Sequence, residues 1–300
     1  MATSSLRLRA LPRAGIRPGI LPLLAAVAIW GGTYVVTKGL LDSVGPFSIL
    51  VFRFGLAFLA LLPFAYAQGY RPRLSLNRRF VLFGLTGMAL HLGLENVALQ
   101  LTTAGSAALI VAAVPAVTTA FAVPLLGERP SPRQLAGIAA SIAGVVLISG
   151  AGWGEADWRQ LLGNALVLSA VVSWAIFTIQ GKRLANGYSA LVATTAATGA
   201  AFLLLLPIAA VEVWATGAPA FNLPSALAVV YLGIGASAAA FLLWNKALHH
   251  LDASVAAPYI NLIPVIGFAL ALLAGEKPTA GQMVGGAVVG LGVALASSRR

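Results

Sequence analysis

Charge is what this sequence has least of. Only 9% of its 300 residues are Asp, Glu, Lys or Arg, while 59% are hydrophobic. A soluble domain carries about 25% charged residues, so the scarcity excludes a water-soluble globular fold. Cysteine is absent, which removes disulfides and thiolate chemistry and leaves the compartment unreadable from that residue. Acidic residues number eight against nineteen basic ones, a net charge of +11. In a soluble protein that excess would suggest nucleic acid. In a membrane chain the position of each cation matters more than the sum, and no nucleic-acid partner is expected. Enzyme signatures are missing as well: there is no H-E-x-x-H, no G-x-S-x-G, no P-loop and no Cys/His ligand set. The chain is therefore not expected to be an enzyme, to bind a metal or cofactor, or to hydrolyse ATP.

What is present is oil in long runs. Apolar stretches of roughly 18 to 25 residues, the length of a helix crossing a hydrocarbon core of about 30 Å, recur from end to end. They lack the period-2 alternation of barrel strands and are much longer. Ten spans result, at about 20–40, 47–67, 79–99, 104–126, 133–150, 161–182, 189–214, 225–247, 253–274 and 279–297. Turn and breaker residues mark junctions: DSVGP (42–46), GYRPR (69–73), GERPSP (127–132), GAPAFNLP (217–224) and GEKPT (275–279). Spans 5 and 10 are rich in Gly and Ala, which lets helix backbones approach closely in lipid. The loops leave no room for a separate soluble domain.

Lys and Arg set the orientation. With the N-terminus in the cytoplasm, fifteen cations fall on inside segments: Arg7, Arg9, Arg13 and Arg17; Arg71, Arg73, Arg78 and Arg79; Arg129 and Arg133; Lys182 and Arg183; Lys246; Arg299 and Arg300. Only Lys38, Arg159 and Lys277 fall outside. That asymmetry supports both termini in the cytoplasm and an even number of spans. Trp153, Trp158 and Trp214 mark expected outer boundaries, as an aromatic belt does. The arginine-rich start reads as a cytoplasmic tail over 1–19, not a cleaved leader: the apolar segment after it is too long for a signal core.

The chain also repeats itself. "NVALQLTTAGSAALIVAAVP" (96–115) aligns with "NKALHHLDASVAAPYINLIP" (245–264) at an offset of 149, pairing Asn96 with Asn245 and Pro115 with Pro264. One residue of slip later, Gly127-Glu128-Arg129-Pro130 pairs with Gly275-Glu276-Lys277-Pro278, Gly137 with Gly285 and Gly144 with Gly292. At an offset of 144, Trp30 pairs with Trp174 and Lys38 with Lys182. The reading is one repeat over 20–150, a second over 151–297 and a short cytoplasmic C-terminus at 298–300. Five spans per repeat is odd, so the second enters the membrane from the opposite side. Two alike but inverted halves can open a central site to one side and then the other, the arrangement of an alternating-access transporter. The expected fold is an all-α polytopic membrane protein of ten transmembrane helices in two inverted five-helix repeats.

These blocks resemble the drug/metabolite transporter superfamily with two EamA-type halves. The resemblance covers about residues 20 to 297. It is carried by "AIWGGTYVVTKGLLDSVGP", by the arginine in "ILVFRFGLAF", by the block from Asn96 to "GVVLIS", and by the second copy ending "GEKPTAGQMVGGAVVGLGVAL". Within the superfamily the chain looks most similar to the YddG-like bacterial exporters of amino acids and aromatic metabolites. The resemblance implies an inner-membrane exporter with a central cavity lined by helices 1, 3, 4, 6, 8 and 9. A sugar-phosphate or nucleotide-sugar antiporter of the same superfamily is the alternative.

Candidate site residues follow from the cost of polar groups in a membrane interior. His91 and Glu95 are four apart and share a helix face, roughly 18 and 24 Å along span 3 from Arg79; they could bind a substrate amine or carry a proton, or merely be satisfied at a wetted helix end. Asn96, matched by Asn245, suits a helix-end bond better than substrate contact. Trp30 and Trp174 sit mid-span as paired aromatic walls or as packing, with Thr33, Tyr34 and Thr37 extending the face of Trp30. Pro115 and Pro264 break spans 4 and 9, and Pro258, Tyr259 and Asn261 make span 9 the most interrupted. They are read as a gate and part of the site. Arg53 is read as snorkelling outward or pairing with Asp42, Lys38 and Lys182 as snorkelling at span ends, and His249 and His250 as a solvated turn. With no cation assigned to the midplane, this inventory suits amino acids, aromatic metabolites or amines better than phosphates. The expected partners are such small molecules and the lipid bilayer, with the chain a monomer.

Overall fold

The computed structural model describes residues 17–41, 43–102, 104–149, 157–273 and 280–297. Among the described residues every regular element is a helix. In chain order the apolar segments are α1 (Ile20–Leu41), α2 (Pro46–Ala67), α3 (Arg78–Ala98), α4 (Ser106–Leu126), α5 (Pro132–Leu147), α6 (Trp158–Leu184), α7 (Ala190–Thr216), α8 (Leu223–Leu248), α9 (Ala253–Gly267) and α10 (Ala280–Ser297). All but α5 and α9 have 18 or more residues and the hydropathy to cross a membrane. The polarity of the bundle is inverted relative to a soluble protein. Leu59, Phe64, Val211 and Leu291 are exposed, whereas Ser141, Thr178, Thr194 and Thr198 are fully buried. The buried hydroxyls are satisfied locally: Thr194 donates to the Ala190 carbonyl at 2.7 Å and Thr178 to that of Trp174 at 3.0 Å.

The packing pairs show the duplication. α5 lies on α10, α2 on α7, α1 on α8, α3 on α6, α1 on α9 and α4 on α6. Exchanging the halves, so that α1 becomes α6 and α3 becomes α8, maps this set onto itself. The direction is inverted. The end of α2 meets the start of α7, where Ser189 Oγ donates to Gln68 Oε1 at 2.6 Å. The end of α7 meets the start of α2, where Glu212 accepts from the Phe47 and Ser48 amides at 3.0 and 2.8 Å. Equivalent helices thus run antiparallel. Below, "basal" denotes the end of the bundle that carries Arg17, and "distal" the other.

The glycines of α5 and α10 act as their spacing suggests. A Cβ on Gly137 would lie 2.6 Å from the Gly292 carbonyl oxygen, and one on Gly144 would lie 2.8 Å from that of Gly285. These are reciprocal contacts of repeat-matched residues, backbone against backbone. A larger side chain has nowhere to go.

Five helices are irregular. The turn of α1 changes at Gly32, between segments Ile20–Gly31 and Thr33–Leu41. α4 breaks at Ala112–Ala113, just ahead of Pro115. α9 is the most fragmented, with a short helix Ala253–Ala256, a 3₁₀ turn Ala257–Asn261 that opens on Pro258, and a helix Leu262–Leu273 that carries Pro264 in its first turn. α3 and α8 each contain a wide π-type stretch, Leu85–Leu90 and Tyr231–Ala239. No proline announces these last two, although Gly87 lies in the first and Gly233 and Gly235 in the second. They occupy corresponding places in the two repeats, and such insertions change the face that the following residues present.

Candidate functional site

The wide turn of α3 ends directly before His91. From there His91, Glu95 and Asn96 line a central cavity of about 70 Å³, room for a handful of waters. α1 contributes Trp30, Thr33 and Thr37, and α6 contributes Trp174. Phe241 of α8 and apolar residues of α4 and α9 complete the wall. Helices 1, 3, 4, 6, 8 and 9 all take part.

α2 contributes a residue read differently from sequence. Arg53 was expected to snorkel outward or pair with Asp42. It is instead 3% exposed and lines the cavity. Its Nε donates to Ser237 Oγ at 2.5 Å, its guanidinium lies 5.8 Å from the Phe54 ring centroid, and its charge acts on Glu95. Asp42 lies outside the described residues. The expectation that no cation faces the interior is thereby corrected. The physical reason is the wide turn of α8, which puts Ser237 opposite α2 and offers the guanidinium a buried acceptor. The signal was present in the sequence, as an arginine six residues inside an apolar span.

The remaining candidates divide. His91 Nδ1 is 3.0 Å from the Ala170 carbonyl. A carbonyl can only accept, so Nδ1 carries the proton and Nε2 remains for another partner. Trp30 donates to the Ala236 carbonyl, inside the wide turn of α8, at 2.9 Å. Trp174 Nε1 has no partner among the described residues. Asn96 donates to the Pro46 carbonyl at 3.2 Å, and its repeat mate Asn245 donates to Thr194 Oγ1 at 2.9 Å. Each asparagine thus ties its helix to the start of the preceding helix, although Asn96 also reaches the cavity wall. Tyr259 and Asn261 do not line the central cavity. Tyr259 turns towards Ser297, and Asn261 donates to the Ala112 carbonyl at 3.3 Å and to Ser141 Oγ at 2.9 Å. The 3₁₀ turn that holds them rotates both away. The side chain of Tyr34 lies outside the described residues. Of the prolines, Pro264 lines a neighbouring pocket, and neither Pro115 nor Pro258 lines the cavity.

The cavity lies towards the distal end, with packed side chains directly beneath it. An aromatic floor closes it: Trp30 meets Trp174 and Phe241 edge to face at 5.5 and 5.4 Å, and Trp174 and Trp244 lie tilted at 5.2 Å. Under the floor, Leu23, Val27, Phe177 and Leu248 are fully buried. The basal helix ends are then tied together by charge. Glu128 accepts from the Ala253 and Ser254 amides at the start of α9, at 2.7 and 2.9 Å. Arg183 donates to the Leu125 carbonyl at 2.7 Å. Lys182, expected to snorkel, instead donates to the Leu248 and Leu251 carbonyls at 3.0 and 2.8 Å, where a cation complements a helix C-terminus. Lys38 is exposed. His250 is exposed too, while His249 is half-buried. Burial, then the nearby His250 and Lys182, hold His249 below the ordinary histidine value. At the distal surface Trp158 and Trp214 are exposed, as an interfacial belt requires, and Trp153 lies outside the described residues. Among the described residues no group of three His, Asp or Glu side chains could hold a metal ion.

An all-helical bundle of two inverted repeats around a part-polar cavity defines a membrane transporter. Comparison with known proteins gives the family. The model of the EamA-like transporter family matches residues 17–150 and again 161–298. This chain belongs to that family, within the drug/metabolite transporter superfamily. It is 30% identical to an uncharacterized transporter of Archaeoglobus fulgidus, across 93% of this chain and 96% of the relative. It is 31% identical to a "Probable terminal-alkyne amino-acid exporter" of Streptantibioticus cattleyicolor, across 92% of each. A crystal structure at 22% identity superposes with a TM-score of 0.78 over 93% of this chain and 96% of the other, which shows the shared fold.

Proposed function

We propose that this transporter exports amino acids, aromatic ones included, and related zwitterionic metabolites across the bacterial cytoplasmic membrane by alternating access, with the basal end and both termini in the cytoplasm. The observation that carries the reading is that Arg53 and Glu95, of opposite charge, line one small cavity above an aromatic floor. A substrate carboxylate suits Arg53, whose guanidinium offers a fork of donors. A substrate ammonium suits Glu95. The pair compensates itself when the cavity is empty, and a zwitterion replaces each partner in kind. A phosphorylated substrate would need the cation of Arg53 without the neighbouring carboxylate, so Glu95 opposes the sugar-phosphate alternative. The amino-acid exporter among the relatives supports the same class.

The structure then corresponds to a state closed at the basal end by the aromatic floor and the Glu128, Lys182 and Arg183 ties. His91 and Glu95 are the cavity groups able to exchange a proton with the distal side. The test is uptake of labelled amino acids into liposomes holding the purified protein, with a sugar phosphate as control, with and without a pH gradient. Amino-acid movement that responds to the gradient in the native chain but not in Glu95→Gln supports both the substrate class and coupling at Glu95. Movement of the sugar phosphate alone overturns the reading.

A further inference from the structure

A second, larger pocket of about 220 Å³ adjoins the central cavity. The two share Leu99, Val111, Ile260 and Ile263 as common wall. The side pocket lies between the two broken helices, α4 and α9, with Gly31 of α1 and Val145 of α5 at its margins. Its room comes from small residues: Ala107, Ala108 and Ala112 on α4, and Gly267 on α9. Asn261 supplies the only polar side chain that lines it among the described residues. That side chain is 1% exposed. Both of its N–H donors are used, on Ala112 and Ser141, and its Oδ1 has no partner.

The sizes of the two spaces divide the work. The central cavity, at about 70 Å³, holds the charged groups and little else. An amino acid whose ammonium and carboxylate engage Glu95 and Arg53 has no space there for a long side chain. The adjoining 220 Å³ is apolar, uncharged and reached across four shared side chains. We infer that the side pocket between α4 and α9 receives the substrate's side chain, and selects large apolar and aromatic amino acids over small or charged ones. The selection has a plain cause. Each buried methylene gains about 0.8 kcal/mol, whereas a charged side chain would be desolvated with no counter-charge. An indole N–H or phenol O–H that reached the wall would find the unused acceptor of Asn261. The inference rests on the amino-acid reading above, and it adds where the side chain lies.

The experiment measures kcat/KM for alanine, leucine, phenylalanine, tryptophan and lysine in proteoliposomes, for the native chain and for Ala108→Phe, which fills the pocket. The native chain should favour leucine and the aromatics over alanine and lysine. Filling should lower the ratio of tryptophan to alanine by about tenfold or more, the range expected from loss of a few buried methylenes. Gly267→Val, from the facing wall, should lower the same ratio and stands in if Ala108→Phe does not fold. Ile263→Ala, which opens the shared wall, should raise it. Ratios that stay at the native value in these variants, or a native chain indifferent to side-chain size, overturn the side pocket while leaving amino-acid export intact. A native chain that moves none of the five overturns the substrate reading itself, and the side pocket with it.

Discussion

The two repeats share a plan and differ in chemistry at matched positions. At the offset of 149, His91 corresponds to Ala240 and Glu95 to Trp244, while Asn96 and Asn245 are unchanged. In both repeats a wide turn precedes these positions. In the first it delivers an imidazole and a carboxylate to the cavity wall. In the second it delivers a fully buried indole to the floor beneath. The retained residues, Asn96 and Asn245, do the structural job of tying α3 to α2 and α8 to α7. Duplication therefore kept what holds the bundle together and let the repeats diverge where they meet the substrate path. One consequence is a polar wall facing an aromatic floor, which a symmetric pair of repeats would not provide.

The largest expected effect breaks the polar wall. Arg53→Met leaves the half-buried Glu95 without its neighbouring cation and empties a fully buried site. Loss of one partner of a buried pair costs about 3–5 kcal/mol, so thermal stability in detergent should fall steeply and amino-acid transport should drop by about 100-fold or more. The double variant Arg53→Met/Glu95→Leu removes both charges. Replacement of a buried pair by apolar groups is often neutral or stabilising. It should therefore recover stability while transport stays lost. Transport that returns along with stability would show that the pair holds the fold and not the substrate.

The next effect compares Trp30 with Trp174, which the repeat matches and the structure sets edge to face. Trp30 has a bonded N–H and Trp174 does not. Trp30→Phe strands the Ala236 carbonyl, and an unsatisfied buried acceptor costs about 1–3 kcal/mol. Trp174→Phe deletes a donor that has no partner and should be near neutral or stabilising. Melting curves of the two single variants, in one detergent, check the difference. Equal losses would mean that ring volume alone matters at both positions.

A smaller effect contrasts the two α2–α7 ties. At the distal end a carboxylate, Glu212, holds two amides and the Ser48 hydroxyl. At the basal end an amide, Gln68, meets Ser189. Because an amide already serves at the basal tie, Glu212→Gln should fold and insert normally but lose about 1–2 kcal/mol: the Gln NH2 cannot accept, so one oxygen's bond is lost and the other loses its charge assistance. A loss as large as that of Arg53→Met would show that the distal carboxylate has a role beyond capping.

Much of this architecture was legible in the sequence, and the reasons for the rest are specific. Span count, inverted repeats and close α5–α10 packing follow from run length, the paired GE-x-P turns and glycine spacing. Each rests on local chemistry that a single chain displays. Trp30, His91, Glu95 and Trp174 were legible as candidates because polar or amphipathic groups in an apolar span need a reason. Arg53 was read onto the wrong environment. Its acceptor, Ser237, lies 184 residues away and is aimed by a wide turn with no sequence signature. Tyr259 and Asn261 lie off the central cavity for the converse reason. The broken helix was evident from Pro258 and Pro264, but the direction in which a 3₁₀ turn points its side chains was not. Lys182 illustrates the same limit: a lysine at a helix end reads as snorkelling until a second helix's carbonyls are known to be beside it.

The smallest expected effect lies at the basal turn, where His249 and His250 follow α8. Neither has a counterpart in the first repeat, whose matched positions are Gln100 and Leu101. Burial and the adjacent cations hold His249 below the ordinary value of about 6.5. Above that value the ring is neutral in folded and unfolded chains alike, and it contributes no pH dependence. As pH falls through it, the unfolded chain takes up the proton first, so stability declines until the folded form also protonates. Between pH 7 and pH 5 the melting temperature of the native protein should therefore fall, and His249→Gln should fall less. The turn links Leu248 and Leu251, whose carbonyls Lys182 caps, so protonation there also opposes the basal tie. A native protein and a variant with the same pH profile would place the acid sensitivity elsewhere than at His249.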